Sequence, residues 1–96
     1  MESSFRLGQL VESLTGRDRG THYLVVGQSS GGYWQVADGQ KRTLGRPKLK
    51  NARHLRGHPG VDLELEARLI RKEPVKDQDV VQGLARLRPR KEEMKA

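Results

Sequence analysis

The stretch LTGRDRGTHYLVVG, residues 14–27, decides how this chain folds. Gly16 and Gly20 bracket Arg17, Asp18 and Arg19, and an apolar run behind them closes on Gly27. Tyr23, Val25 and Val26 are β-formers, and strand alternation puts Leu24 and Val26 on one face with Tyr23 and Val25 on the other. Glycine tolerates positive φ, so GRDRG reads as the reversal between two strands, with Asp18 making a local side-chain turn. The same reversal holds Arg17 and Arg19 at a rim, where guanidinium forks take phosphates or stack on bases.

Working outward, the segments GQLVESL, YWQVA, KRTL and NARHL follow the same rhythm of short strands and turn signals. QSSGG is a glycine-bearing loop, and Asp38-Gly39 is a hairpin signal. Strands at this spacing suggest a small barrel or a sandwich, and apolar residues on both faces favour the barrel, a sheet that curls on itself. Beyond Pro59-Gly60 the pattern changes. VDLELEARLIRK alternates like a strand at Val61, Leu63, Leu65, Ala67 and Leu69. Its composition is that of a helix, however, and Asp62 can cap it, so a helix is expected. DQDVVQGLARL puts Val80, Leu84 and Leu87 on one helical face, with Asp77 or Asp79 to cap the start and Pro89 to stop it. Gly83 costs that helix about 1 kcal/mol relative to alanine. The expected fold is mainly β: a barrel of about five strands over residues 1–60, a helical extension over 61–88 and a flexible tail over 89–96.

Ninety-six residues make one domain, which buries only about 60–65% of the surface exposed by the unfolded chain. There is no cysteine, so disulfides and thiolate metal sites are excluded and the fold must stand on packing. No run reaches the roughly 18 apolar residues of a membrane span, and MESSFRLGQL lacks the sectors of a signal peptide, so a cytoplasmic protein is expected; in isolation it is expected to be a monomer. The net charge is +7, and its distribution is uneven. Residues 1–60 carry ten Lys and Arg against four acids, whereas residues 61–96 carry nine against eight. Lys41, Arg42, Arg46, Lys48, Lys50, Arg53 and Arg56 fall in one stretch with no acid among them. A one-sign stretch of this kind attracts a polyanion.

Motifs for other chemistry fail on context. GQSSG at 27–31 matches a nucleophile elbow, but a strand-forming segment follows where a helix is required, and the chain is too short for that fold. His54 and His58 have helical ligand spacing, yet HLRGHPG cannot be a helix, and neither cysteine nor a neighbouring acid completes a zinc set. GRDRG lacks the lysine of a phosphate-binding loop and precedes a strand. No metal, no cofactor and no catalytic residue is expected. Trp34 is the single tryptophan; next to Tyr33 on a strand, one of the two faces outward, and Trp34 is a candidate for base stacking as well as for the core.

LGQLVESLTGRDRGTHYLVVG resembles a KOW motif, in Gly8, Leu10 and Val11, the basic loop ending at Gly20, and Leu24, Val25 and Val26. The continuation YWQVADGQKRTLGRPKLKNARHL is similar to short bacterial KOW-domain proteins related to the archaeal and eukaryotic large-subunit ribosomal proteins of the fourteen-E family. Ala37, Asp38, Gly39, Arg46, Pro47, Lys48 and Lys50 carry that likeness. The resemblance spans residues 5–58. It implies an SH3-like barrel, helices after Pro59, and binding to RNA, commonly ribosomal RNA, with Arg17 and Arg19 at the contact. The expected function is therefore a non-catalytic RNA-binding protein working on or near the ribosome through Arg17, Arg19 and the 41–56 segment. The alternative is an SH3-like interaction module for ribosomal or transcription proteins.

Overall fold

Apolar residues on both faces of the central strands leave the sheet with two surfaces to bury. A computed structural model describes residues 4–88; the tail expected over 89–96, with Pro89, lies outside the described residues. Five strands, Gln9–Ser13 (β1), His22–Gln28 (β2), Tyr33–Ala37 (β3), Lys48–Asn51 (β4) and Leu55–Val61 (β5), form one antiparallel sheet in the order β4-β3-β2-β1-β5. Two helices follow, Leu63–Arg71 (α1) and Asp77–Leu87 (α2). The expected mainly-β class, five strands and then helices, is what the chain adopts. The two edge strands are joined by a single 3-10 turn, Ala52–His54, so the sheet has to curl into a barrel-like shape to bring its edges that close.

Curling accounts for one face. Val11, Tyr23, Val25, Trp34, Val36 and Leu55 fill the inside, with Phe5, Leu7 and Ala52 packed against them. The other face is covered by the helices, a solution that the two-sided strands did not by themselves suggest. Leu10, Leu24 and Ala37 lie beneath Leu65 of α1 and Val80 and Leu84 of α2, so the helices share a core with the sheet. Fully burying a side chain of this size contributes roughly 1.5–3 kcal/mol, which a domain with so few large apolar residues needs on both faces.

Asp62 explains why residues 63–71 are helical despite their alternation. Its Oδ1 accepts from the Leu65 backbone N–H at 3.1 Å, capping α1, while Oδ2 accepts from Arg86 Nη2 at 2.7 Å and ties α2 to that cap. Of the two acids expected to start α2, Asp79 does so, accepting from the Lys76 N–H at 2.9 Å. Asp77 instead turns back to accept from Leu44 N at 2.7 Å, pinning the loop before β4. Gly83 sits where α2 crosses the sheet. A Cβ there would stand 2.6 Å from Asp62 Oδ2 and 3.0 Å from Leu24 Cδ1, so its cost in helix propensity permits a close approach.

The middle of the chain departs from expectation. KRTL is not a strand: residues 38–47 form a loop whose backbone is held by side chains, Asp38 Oδ1 accepting from Gln40 N and Arg42 N, both at 2.9 Å. Asp38-Gly39 therefore opens a long loop, not a tight hairpin. NARHL splits between β4, the 3-10 turn and β5. Pro59-Gly60 lies within β5, where an edge position and a register shift opposite β1 accommodate a residue without an N–H. Among the described residues, no helix is long and apolar enough to cross a membrane.

Candidate nucleic-acid interface

The 16–20 loop is built by backbone bonds that only a tight reversal can make. Arg19 N donates to Gly16 O at 3.2 Å, and Gly20 N to Ser13 O at 2.8 Å, with Gly16 and Gly20 at φ of 85° and 89°. Asp18 does not make the local side-chain turn expected of it. Its carboxylate points inward, Oδ1 accepting from Ser13 Oγ at 2.9 Å and Oδ2 from Tyr23 OH at 2.7 Å. Lys50 Nζ of β4 lies 3.2 Å from Oδ1, and Lys48 Nζ 3.5 Å from Oδ2. Lys50 also donates to Thr15 O at 3.0 Å. Asp18 is thus a pin between the loop and β4, and its neighbours Arg17 and Arg19 are left exposed.

Desolvation pushes the Asp18 carboxyl up, but the hydrogen bonds from Tyr23, Ser13 and Lys50 and the Lys50 charge outweigh it and hold it well below the usual carboxylate range. Burial, reinforced by the bond to Asp18, raises the Tyr23 phenol well above its ordinary value. The pin is therefore a carboxylate and a neutral phenol throughout the physiological range.

The nine cationic candidates divide into two groups. Arg17, Arg19, Lys41, Arg42, Arg46, Arg53 and Arg56 are exposed, and none has an acidic partner among the described residues. Lys48 and Lys50 are paired with Asp18, and the Lys50 side chain is only 9% exposed. Lys50 is thus corrected from a free contact to a structural one: it lies opposite Trp34 in the β3–β4 register, so its stem points inward. The helices show the contrast. Arg68, Arg71 and Arg86 are each paired, with Glu64 and Asp79, with Glu73 and with Asp62.

Trp34 is also corrected. It is 6% exposed, shares the inner face with Val36, and meets Phe5 edge-on at a centroid distance of 5.4 Å, so no base can reach its ring. The outward aromatic is Tyr33, 43% exposed, one residue earlier on the same strand. Residues 29–32 connect β2 to β3, a strand-to-strand loop that leaves no elbow for Ser29.

One cluster was missed. His58 is not joined by His54 but by His22 and Glu12, half-buried side chains whose ligand atoms lie within 4.8 Å of one another. Desolvation lowers the His22 pKa, with Glu12 opposing and His58 and Arg88 adding to the fall. The signal was in the hairpin: a reversal that sets Leu10 against Leu24 also sets Glu12 against His22. No protein-family model matches the chain, and no curated protein matches it.

Proposed function

We propose that this chain is a non-catalytic RNA-binding module of KOW type, contacting ribosomal RNA and acting on or near the ribosome. The observation that carries the reading is the division of its cations. Seven exposed Lys and Arg of the 16–20 loop and the 41–56 segment have no acidic partner among the described residues, whereas Arg68, Arg71 and Arg86 on the helices are paired. Unpaired guanidinium and ammonium groups neutralise phosphates and release counterions, which is the main source of affinity for a polyanion. The Asp18 pin to Lys48 and Lys50 supports the reading further, because it brings together the two sequence blocks that carry the KOW resemblance. Tyr33 supplies a stacking face for an unpaired base.

A salt titration with single-stranded RNA tests this. With about six phosphates engaged, log K falls with log salt at a slope near −4. A flat titration, or no binding at low ionic strength, overturns it. Sedimentation with ribosomal particles at low and high salt then separates ribosome attachment from RNA affinity in general. The protein-interaction reading has its own observation: Leu63 and Ile70, 65% and 62% exposed, fall on one face of α1. Partners retained after ribonuclease treatment favour it; partners lost with the RNA favour the first reading.

A further inference from the structure

We infer that Glu12, His22 and His58 form a divalent-cation site of the Zn2+-binding type, fastening β5 to the β1–β2 hairpin. The three residues come from three adjacent strands. Glu12 and His22 are direct partners in the β1–β2 register, so their side chains leave the sheet on the same face. His58 enters from β5, in the stretch where its register against β1 shifts, and Gln9 Nε2 holds its backbone carbonyl at 3.0 Å. The His22 and His58 rings lie 5.5 Å apart, tilted by 48°.

Two features distinguish this group from an ordinary surface cluster. His58 Nε2 is buried and has no hydrogen-bond partner among the described residues, a costly condition for an imidazole nitrogen and the one that a metal ion relieves. Glu12 Oε1 is 3.4 Å away, near enough for attraction but not aligned as a hydrogen bond. That separation is also close to the edge of a tetrahedral Zn2+ site, about 3.3 Å for ligand bonds near 2.0–2.1 Å. With all three donor atoms within 4.8 Å of one another, side-chain rotation alone brings them onto one ion.

The donor set selects the ligand class. Two neutral imidazoles and one carboxylate suit Zn2+ and related borderline divalent ions, not Ca2+ or Mg2+, which prefer all-oxygen shells. Three protein ligands leave the fourth position to water. The nearby charges do not consume the carboxylate. Arg56 is the cross-strand neighbour of Glu12 yet makes no ion pair with it, and the charge of Arg88 reaches His22 from the end of α2. The site is independent of the RNA reading, since it uses none of the free cations.

The test uses the full chain and zinc chloride. Calorimetric titration is expected to show one Zn2+ per chain, and a hundredfold excess over the dissociation constant should raise the melting temperature by on the order of 10 °C. His22→Gln and His58→Gln should each weaken binding at least tenfold, and His54→Gln should leave it unchanged. In the unsubstituted protein, imidazole resonances of His22 and His58 should shift on Zn2+ addition while those of His54 stay in place, a reading that does not depend on any variant folding. Absence of binding at 100 micromolar Zn2+ overturns the site, as does binding that is lost with His54 or that leaves the His22 and His58 resonances unmoved.

Discussion

Asp18 and Lys50, one in a surface loop and the other on β4, meet at 3.2 Å with the lysine side chain 9% exposed. The contact holds the β1–β2 loop against the far edge of the sheet. Asp18→Ala removes the acceptor for Ser13, Tyr23 and Lys50 together and leaves a buried ammonium group with only Thr15 O as partner. A loss of about 3 kcal/mol is expected, a large fraction of the stability of a domain this size. Chemical denaturation of the two proteins measures it, and a change under about 0.5 kcal/mol would show that the pin is ornamental.

The same carboxylate sets the acid limit of the fold. Its folded-state pKa lies below its unfolded value, so the stabilisation is complete above the unfolded carboxylate range, near pH 4, and is lost as the pH falls from there toward the folded value. Glu66, held low by a hydrogen bond from Arg6, contributes with the same sign at the surface. Stability measured from pH 7 down to pH 2 should drop steeply in the native chain. In Asp18→Asn the drop should be shallower, since the largest titrating contribution is gone; parallel curves would contradict the assignment.

Gly83 makes a prediction against helix propensity. Alanine should gain about 1 kcal/mol in an ordinary helix interior. Here its methyl meets Asp62 Oδ2 at 2.6 Å, and Asp62 cannot turn away without releasing both the Leu65 N–H and Arg86. Gly83→Ala is therefore expected to destabilise by about 1–3 kcal/mol, read as a lowered melting temperature. A stabilised variant would mean that α2 is free to lift from the sheet.

What was legible in the sequence was local. The GRDRG reversal, the alternation of Leu24 through Val26, and the helix that starts after Asp62 all follow from turn chemistry, side-chain period and caps within a few residues. The unread parts depend on cross-strand partners. KLKN has no alternation that marks it as β4; pairing with β3 makes it a strand, and facing Trp34 turns Lys50 inward. Asp18 could be placed in a turn but not opposite two lysines thirty residues away. Trp34 was decidable in part, because its parity with Val36 points both to one face.

Those two aromatics should separate folding from binding. Trp34→Ala is expected to cost about 3–5 kcal/mol, since it empties the inner core against Phe5. Tyr33→Ala, at an exposed position, should leave the melting temperature almost unchanged and weaken single-stranded RNA binding about tenfold, the loss of one stacked base. Tryptophan fluorescence then reports unfolding and stays constant through an RNA titration. Strong quenching by RNA in the folded protein would return Trp34 to the interface.

The cationic residues allow the sharpest division, because charge alone treats them as equal. Arg17 and Arg19 are exposed and unpaired among the described residues; Lys50 is buried against Asp18. Replacing both arginines with glutamine should make the salt slope shallower by about 1.4, at roughly 0.7 per phosphate contact, with little change in melting temperature. Lys50→Gln should do the reverse. It leaves Asp18 without the less exposed of its two lysine partners and lowers stability, while the slope stays near that of the native chain. If Lys50→Gln flattens the slope as much as the arginine pair and melts like the native protein, the lysine is a phosphate ligand and the Asp18 contact yields to RNA.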